Sequence, residues 1–134
     1  SRKPLAIGDN LDTDIKGAVS AGIDCLHVLT GLASARDICL APPEVRPTYL
    51  CDDMRGLNEP YPEVTIDGTA VEVGSARAHW TGDAISLTAG EEIDVSVSAR
   101  LNLDGYRALV HAAWIAADSG ANLDAAIGEI TVVR

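Results

Sequence analysis

Ile7-Gly8-Asp9-Asn10-Leu11-Asp12-Thr13-Asp14-Ile15 sets three carboxylates within six residues, where the short apolar run Pro4 to Ile7 gives way to a helical pattern. Ile15, Ala18, Val19 and Gly22 follow helical spacing, with Thr13 or Asp12 placed to cap the start and Gly22 to end it. The stretch therefore reads as strand, acidic loop, helix. In open α/β sheets, ligands collect at the carboxyl ends of strands. Carboxylate oxygens suit a hard cation such as Mg²⁺, which keeps several waters and bridges to phosphate, and a helix N-terminus tolerates that negative charge. The plainer alternative is a polar loop whose acids only cap a helix.

Two better-known acidic motifs do not fit. Asp12-Thr13-Asp14-Ile15-Lys16-Gly17 begins like a calcium-binding EF-hand loop, but Lys16 stands at its fifth place and Ile23 where the bidentate Glu is required. Asp12-Thr13-Asp14 also imitates the nucleophile motif DxDx[TV] of dehalogenase-type phosphatases. There the first Asp follows directly on a buried strand; here polar Gly8-Asp9-Asn10 precedes it and Lys16 replaces Thr or Val.

Outward from the loop, apolar strands alternate with helices, the mark of an α/β layer fold. Cys25 to Leu29 is a second strand closed by Thr30-Gly31. A helix is expected from about Ala35 to Ala41, with Ser34 and Asp37 spaced as a capping box and Pro42-Pro43 forcing the stop. Thr48 to Cys51 is a third strand, followed by one helical turn to Leu57, and Asn58 to Pro62 reads as a linker.

The style then changes to a small α+β unit, residues 64–134. Val64-Thr65-Ile66 and Val71, Val73 flank an Asp67-Gly68 turn, as in a hairpin. Ala76, Ala78 and Trp80 alternate, as do Ile85 and Leu87, and Ile93, Val95, Val97 and Ala99 suggest a strand with one face in the core. Tyr106, Leu109, Val110, Ala113 and Ala117 have helical spacing up to Ser119-Gly120, and Ile130 to Val133 is a last strand.

The 134 residues are 47% hydrophobic and 22% charged, which argues against disorder, and no run is long enough to span a membrane. A net charge of -10 without a basic stripe repels a nucleic-acid backbone, so neither membrane nor nucleic acid is an expected partner. Cys25, Cys39 and Cys51 lack CxxC spacing and read as buried free thiols of a cytoplasmic protein.

The run Ile7 to Ile15, followed by Gly17-Ala18, Ala21-Gly22 and Val28-Leu29-Thr30-Gly31, resembles the fourth motif of the haloacid-dehalogenase superfamily. The likeness is to its type II branch of p-nitrophenylphosphatase-like and sugar-phosphate or glycerol-phosphate phosphatases. It covers residues 1–57 and implies the C-terminal half of a Rossmann-like parallel-sheet core, followed after residues 58–63 by an appended domain, residues 64–134. It also implies Mg²⁺ as cofactor and a small phosphorylated metabolite as substrate. By that resemblance Asp9 ligates the metal directly, Asp14 steadies its water shell, Thr13 shapes the turn and Asn10 stands just outside. The family's Asp nucleophile and Asp acid/base precede this motif, so the chain is expected to be the C-terminal portion of a phosphatase and inactive alone. Because its strands lack neighbours, it is expected to pair with the missing part or with a copy of itself, or else residues 1–57 are held by the second unit. The competing expectation is a non-catalytic binding or oligomerisation module with a decayed half-site.

No other constellation competes. His27 in its apolar strand reads as a packed core histidine, His111 near Trp114 as a helix face against the core, and Glu91-Glu92 as a solvated pair.

Overall fold

The computed structural model describes residues 4–29 and 34–133; Thr30-Gly31, expected to close the second strand, lies outside them. The first layer is a parallel sheet in the order β1 (Leu5–Gly8), β2 (Asp24–Val28), β3 (Tyr49–Cys51). Parallel neighbours need crossovers, and helices supply them. A five-residue π turn, Leu11–Ile15, runs into α1 (Lys16–Ser20), and α2 (Ala35–Cys39) joins β2 to β3 with a 3-10 turn at Pro43–Val45.

Local chemistry sets the ends of these helices. Gly22, at φ 71°, closes α1: its amide donates to Val19 and that of Ile23 to Ala18, a pairing that favours glycine in the left-handed region. Ser34 and Asp37 form the expected capping box, yet α2 stops at Cys39 rather than Ala41, because a residue before proline is pushed out of the helical region. The side-chain cap belongs to the π turn and is Asn10, not Thr13 or Asp12, and α1 continues that turn without a side-chain cap of its own. The Asn10 side chain accepts from the Asp12 amide, and the amides of Asp14 and Ile15 both converge on the Asn10 carbonyl, which widens the turn and starts it earlier.

The second layer is an antiparallel meander of β4 (Val64–Asp67), β5 (Ala70–Val73), β6 (Ala76–Trp80), β7 (Ile85–Ala89) and β8 (Glu91–Ile93). Its alternating pattern buries Val71, Val73, Ala76, Ala78, Ile85 and Leu87. They pack against α3 (Leu103–Asp118), which Asn102 caps by accepting from the Gly105 amide at 2.8 Å. The helix is flanked by β9 (Ser98–Leu101) and β10 (Glu129–Val132), paired in parallel.

Ile93 to Ala99 is not the single strand that its alternation suggests. Asp94 accepts from both the amide and the hydroxyl of Ser96, at 2.9 and 2.6 Å, and this local turn breaks the run between β8 and β9. Val97 is thereby left 65% exposed, while the Val95 and Val97 carbonyls accept from Gly128 and Glu129.

One apolar core unites the two layers. Ala35, Ile38, Cys39 and Leu50 belong to the same buried cluster as Val71, Leu87, Leu109 and Ala113. Side chains reach across to backbone: Trp114 donates its indole N–H to the Ile38 carbonyl at 2.9 Å, and Arg36 donates to the carbonyls of Asp124 and Ile127. Arg46 pairs with Asp118 at 2.9 Å and lies over the Trp114 ring. The parallel-sheet layer is thus held along α2 and β3. The outer side of β1 pairs with no strand among the described residues, and its Leu5 and Ile7 are 42% and 38% exposed.

Candidate metal-binding loop

Asp9 follows directly on β1, at the carboxyl end of the parallel sheet where the architecture gathers ligands. Asp14 comes back to it through the π turn. Its carboxylate lies against the Cα of Gly8, where an added Cβ would stand 2.6 Å from Oδ2, and accepts from the Asn10 amide at 3.4 Å. Asp14 therefore touches the residues on both sides of Asp9. Only glycine leaves room for this approach.

Asp12 is turned elsewhere. It lines an open cleft of about 520 Å³ with Lys16, Asp37 and Glu44, between the π turn and the turn at Pro43. Thr13 is exposed, and its backbone carbonyl accepts from Lys16. Among the described residues, no ion pair forms on Asp9, Asp12 or Asp14.

His27 is the residue whose connection to the loop sequence reasoning missed. Parallel pairing sets it beside Gly8, it is wholly buried, and its Nε2 lies 3.3 Å from the Asp9 carbonyl. Burial holds its pKa below the ordinary 6.5, against the smaller opposing pull of the Asp9 carbonyl and carboxylate, so the ring is neutral near pH 7. A histidine in an otherwise apolar strand, one sheet position from the acidic loop, was the available signal.

The donor set suits a hard cation held loosely. No group of three His, Cys, Asp or Glu side chains converges on one point among the described residues. A closed zinc or calcium cage is therefore not formed by them, whereas Mg²⁺ is commonly held by one or two carboxylates plus waters and substrate phosphate.

Known proteins resemble this chain in sequence and fold. Residues 1–57 match the HAD-hydrolase-like family. A D-glycerol 3-phosphate phosphatase of Mycobacterium tuberculosis is 36% identical over 116 residues, which are 84% of this chain and 31% of that protein. An acid sugar phosphatase of Staphylococcus epidermidis is 42% identical over 48 residues, 36% of this chain and 18% of that protein. Among solved structures, a glycerol phosphate phosphatase from M. tuberculosis in complex with magnesium superposes with a TM-score of 0.58 at 29% identity, over 99% of this chain and 34% of that one. The chain thus spans about a third of the length of these glycerol phosphate phosphatases, and the likeness runs through both of its layers. With its parallel sheet, its acidic loop after β1 and this family match, the segment of residues 1–57 belongs to the haloacid-dehalogenase superfamily, and the chain is similar to phosphatases of the type II branch.

Proposed function

We propose that this chain supplies the metal-holding part of a Mg²⁺-dependent phosphomonoester hydrolase acting on a small phosphorylated metabolite. The observation that carries the reading is the Asp9–Asp14 loop, set at the end of β1 in a chain similar along most of its length to a glycerol 3-phosphate phosphatase. Asp9 ligates the ion, Asp14 orders its waters from over Gly8, Asn10 holds the turn, and Thr13 completes it. Bound Mg²⁺ neutralises phosphoryl charge as it develops.

In this reading residues 1–57 are the core portion and residues 64–134 a domain joined through 58–63. The carboxylate that attacks phosphorus belongs to a segment outside residues 1–134, so these residues alone turn over no phosphate ester. The named relatives support a polyol or sugar phosphate as substrate class.

The test is hydrolysis of glycerol 3-phosphate and p-nitrophenyl phosphate, with and without Mg²⁺, by this chain joined to the upstream half that the reading requires. Asp9→Asn is expected to lower turnover by more than about 100-fold and Asp14→Asn by about 10- to 100-fold, the usual effect of disturbing a metal's outer partners. Unchanged turnover in Asp9→Asn overturns the assignment.

A further inference from the structure

We propose that His27 is a positioning residue: its Nε2–H donates to the Asp9 carbonyl and thereby ties the acidic loop to the centre of the parallel sheet. The inference deepens the metal-binding reading and rests on it for its functional meaning. It starts from an imbalance. Leu26 and Val28, on either side of His27, are buried apolar residues, and an apolar residue would fill the slot between them without polar cost. His27 instead brings two ring nitrogens into a place with no solvent, and Nδ1 finds no hydrogen-bond partner among the described residues. A carbonyl oxygen only accepts, so the proton is on Nε2, and the bond to Asp9 at 3.3 Å is what the ring makes in return.

The remaining contacts of the loop show why this bond matters. The Asn10 carbonyl takes the amides of Asp14 and Ile15, the Asn10 side chain takes the amide of Asp12, and Asp14 takes the amide of Asn10. These bonds close the turn upon itself. Apart from the helical bonds by which the turn runs on into α1, the hydrogen bond that reaches residues 9–14 from elsewhere among the described residues is that of His27 to Asp9. Without it the turn keeps its internal shape but can tilt at the end of β1, and the direction of the Asp9 carboxylate tilts with it. Partners that orient a metal ligand from behind have this effect on affinity.

The experiment uses the isotopically labelled chain, titrated with MgCl₂ and followed by amide NMR, as wild type, His27→Leu and His27→Gln. Leucine keeps the volume and removes the donor; glutamine offers an amide N–H at nearly the place of Nε2. Amide hydrogen exchange at residues 9–14 is measured without metal, and resonances of residues 64–133 report whether each variant is folded. The expected result for His27→Leu is faster exchange confined to the loop and a Mg²⁺ Kd raised about 10-fold, with both largely restored in His27→Gln. Wild-type exchange and Kd in His27→Leu would overturn the proposal, and so would a His27→Gln as impaired as the leucine variant, since packing alone would then explain the effect. Should the wild-type loop show no Mg²⁺-induced shifts, the metal reading fails by itself. Exchange then decides for His27: unchanged in His27→Leu, the tether is refuted; accelerated, it holds.

Discussion

Arg107 on α3 donates its Nε–H to the carbonyl of Leu50 on β3, 2.9 Å away and 57 positions back in the chain. The amide of the same Leu50 donates to the Tyr61 hydroxyl at 3.0 Å, and the Arg107 guanidinium lies over the Tyr61 ring at 4.4 Å. Both backbone groups of the middle residue of an edge strand are therefore taken by side chains from beyond it. Hydrogen bonds are directional, so this contact fixes the position of α3 along β3 as well as its distance.

Arg107→Met keeps most of the aliphatic stem and removes the donor. The Leu50 carbonyl is then buried without a partner, at a cost of about 1–3 kcal/mol. Urea unfolding should show a lower midpoint with an unchanged slope. An unaltered midpoint would mean that water replaces the guanidinium freely.

Gly8→Ala tests the closeness of Asp14. The new Cβ would stand 2.3 Å from the Asp14 Cβ, which no side-chain rotation can move, so the turn must shift away from β1 and carry the carboxylate with it. The main core lies in other elements, so the variant should remain folded while the turn shifts and Mg²⁺ affinity, read from the shifts at Asp9 and Asn10, weakens by about 10-fold or more. Equal titration curves for the two proteins would count against Asp14 as an organiser of the site.

Trp114→Phe removes the hydrogen bond to the Ile38 carbonyl and reduces the ring beneath Arg46. A loss of about 1–2 kcal/mol is expected from the unpaired carbonyl and the smaller ring. Combined with Arg107→Met the losses should add to within about 0.5 kcal/mol, because the two residues bind different elements, α2 and β3. Strong non-additivity in unfolding would indicate that the seam gives way as a unit.

His111 gives the pH dependence. It packs edge-on to Trp114 at 5.2 Å, and burial lowers its pKa below the ordinary 6.5. The unfolded chain then binds a proton more readily than the folded one, so stability from this group is fully present above pH 6.5 and is lost as pH falls from there through the folded value. Buried His27 contributes in the same direction. Denaturant midpoints between about pH 5 and 7.5 should rise with pH, and His111→Phe should flatten part of that slope. The same slope in the variant would refute the assignment.

The legible parts of the sequence were those whose cause is local. Ser34 and Asp37 bond to each other across three positions, so spacing alone reveals their capping box, whereas the approach of Asp14 to Gly8 is not encoded in any spacing. The Asn10 cap escaped because helical periodicity was counted from Ile15 at the α period, whereas the first turn is wound as a π turn. The break at Asp94 escaped for a related reason. Alternation of Ile93, Val95, Val97 and Ala99 describes side-chain faces, while the Asp94–Ser96 bonds reroute the backbone beneath them. Arg107, Tyr61 and Trp114 act on backbone atoms of distant elements, and no periodicity encodes such a partner. His27 was rightly read as buried; its second role depends on strand pairing with Gly8, which arises only once the sheet has formed.

The unequal sides of the first sheet also set its valence. At β3 the Leu50 amide and carbonyl are occupied, whereas β1 presents its backbone and the apolar side chains of Leu5 and Ile7 without a neighbouring strand among the described residues. This sheet is therefore monovalent: it can accept an added strand at β1 and is closed to one at Leu50. Were a strand to add to this sheet, it could pair backbone to backbone at β1 and not at Leu50, so such pairing would not propagate from one sheet to the next.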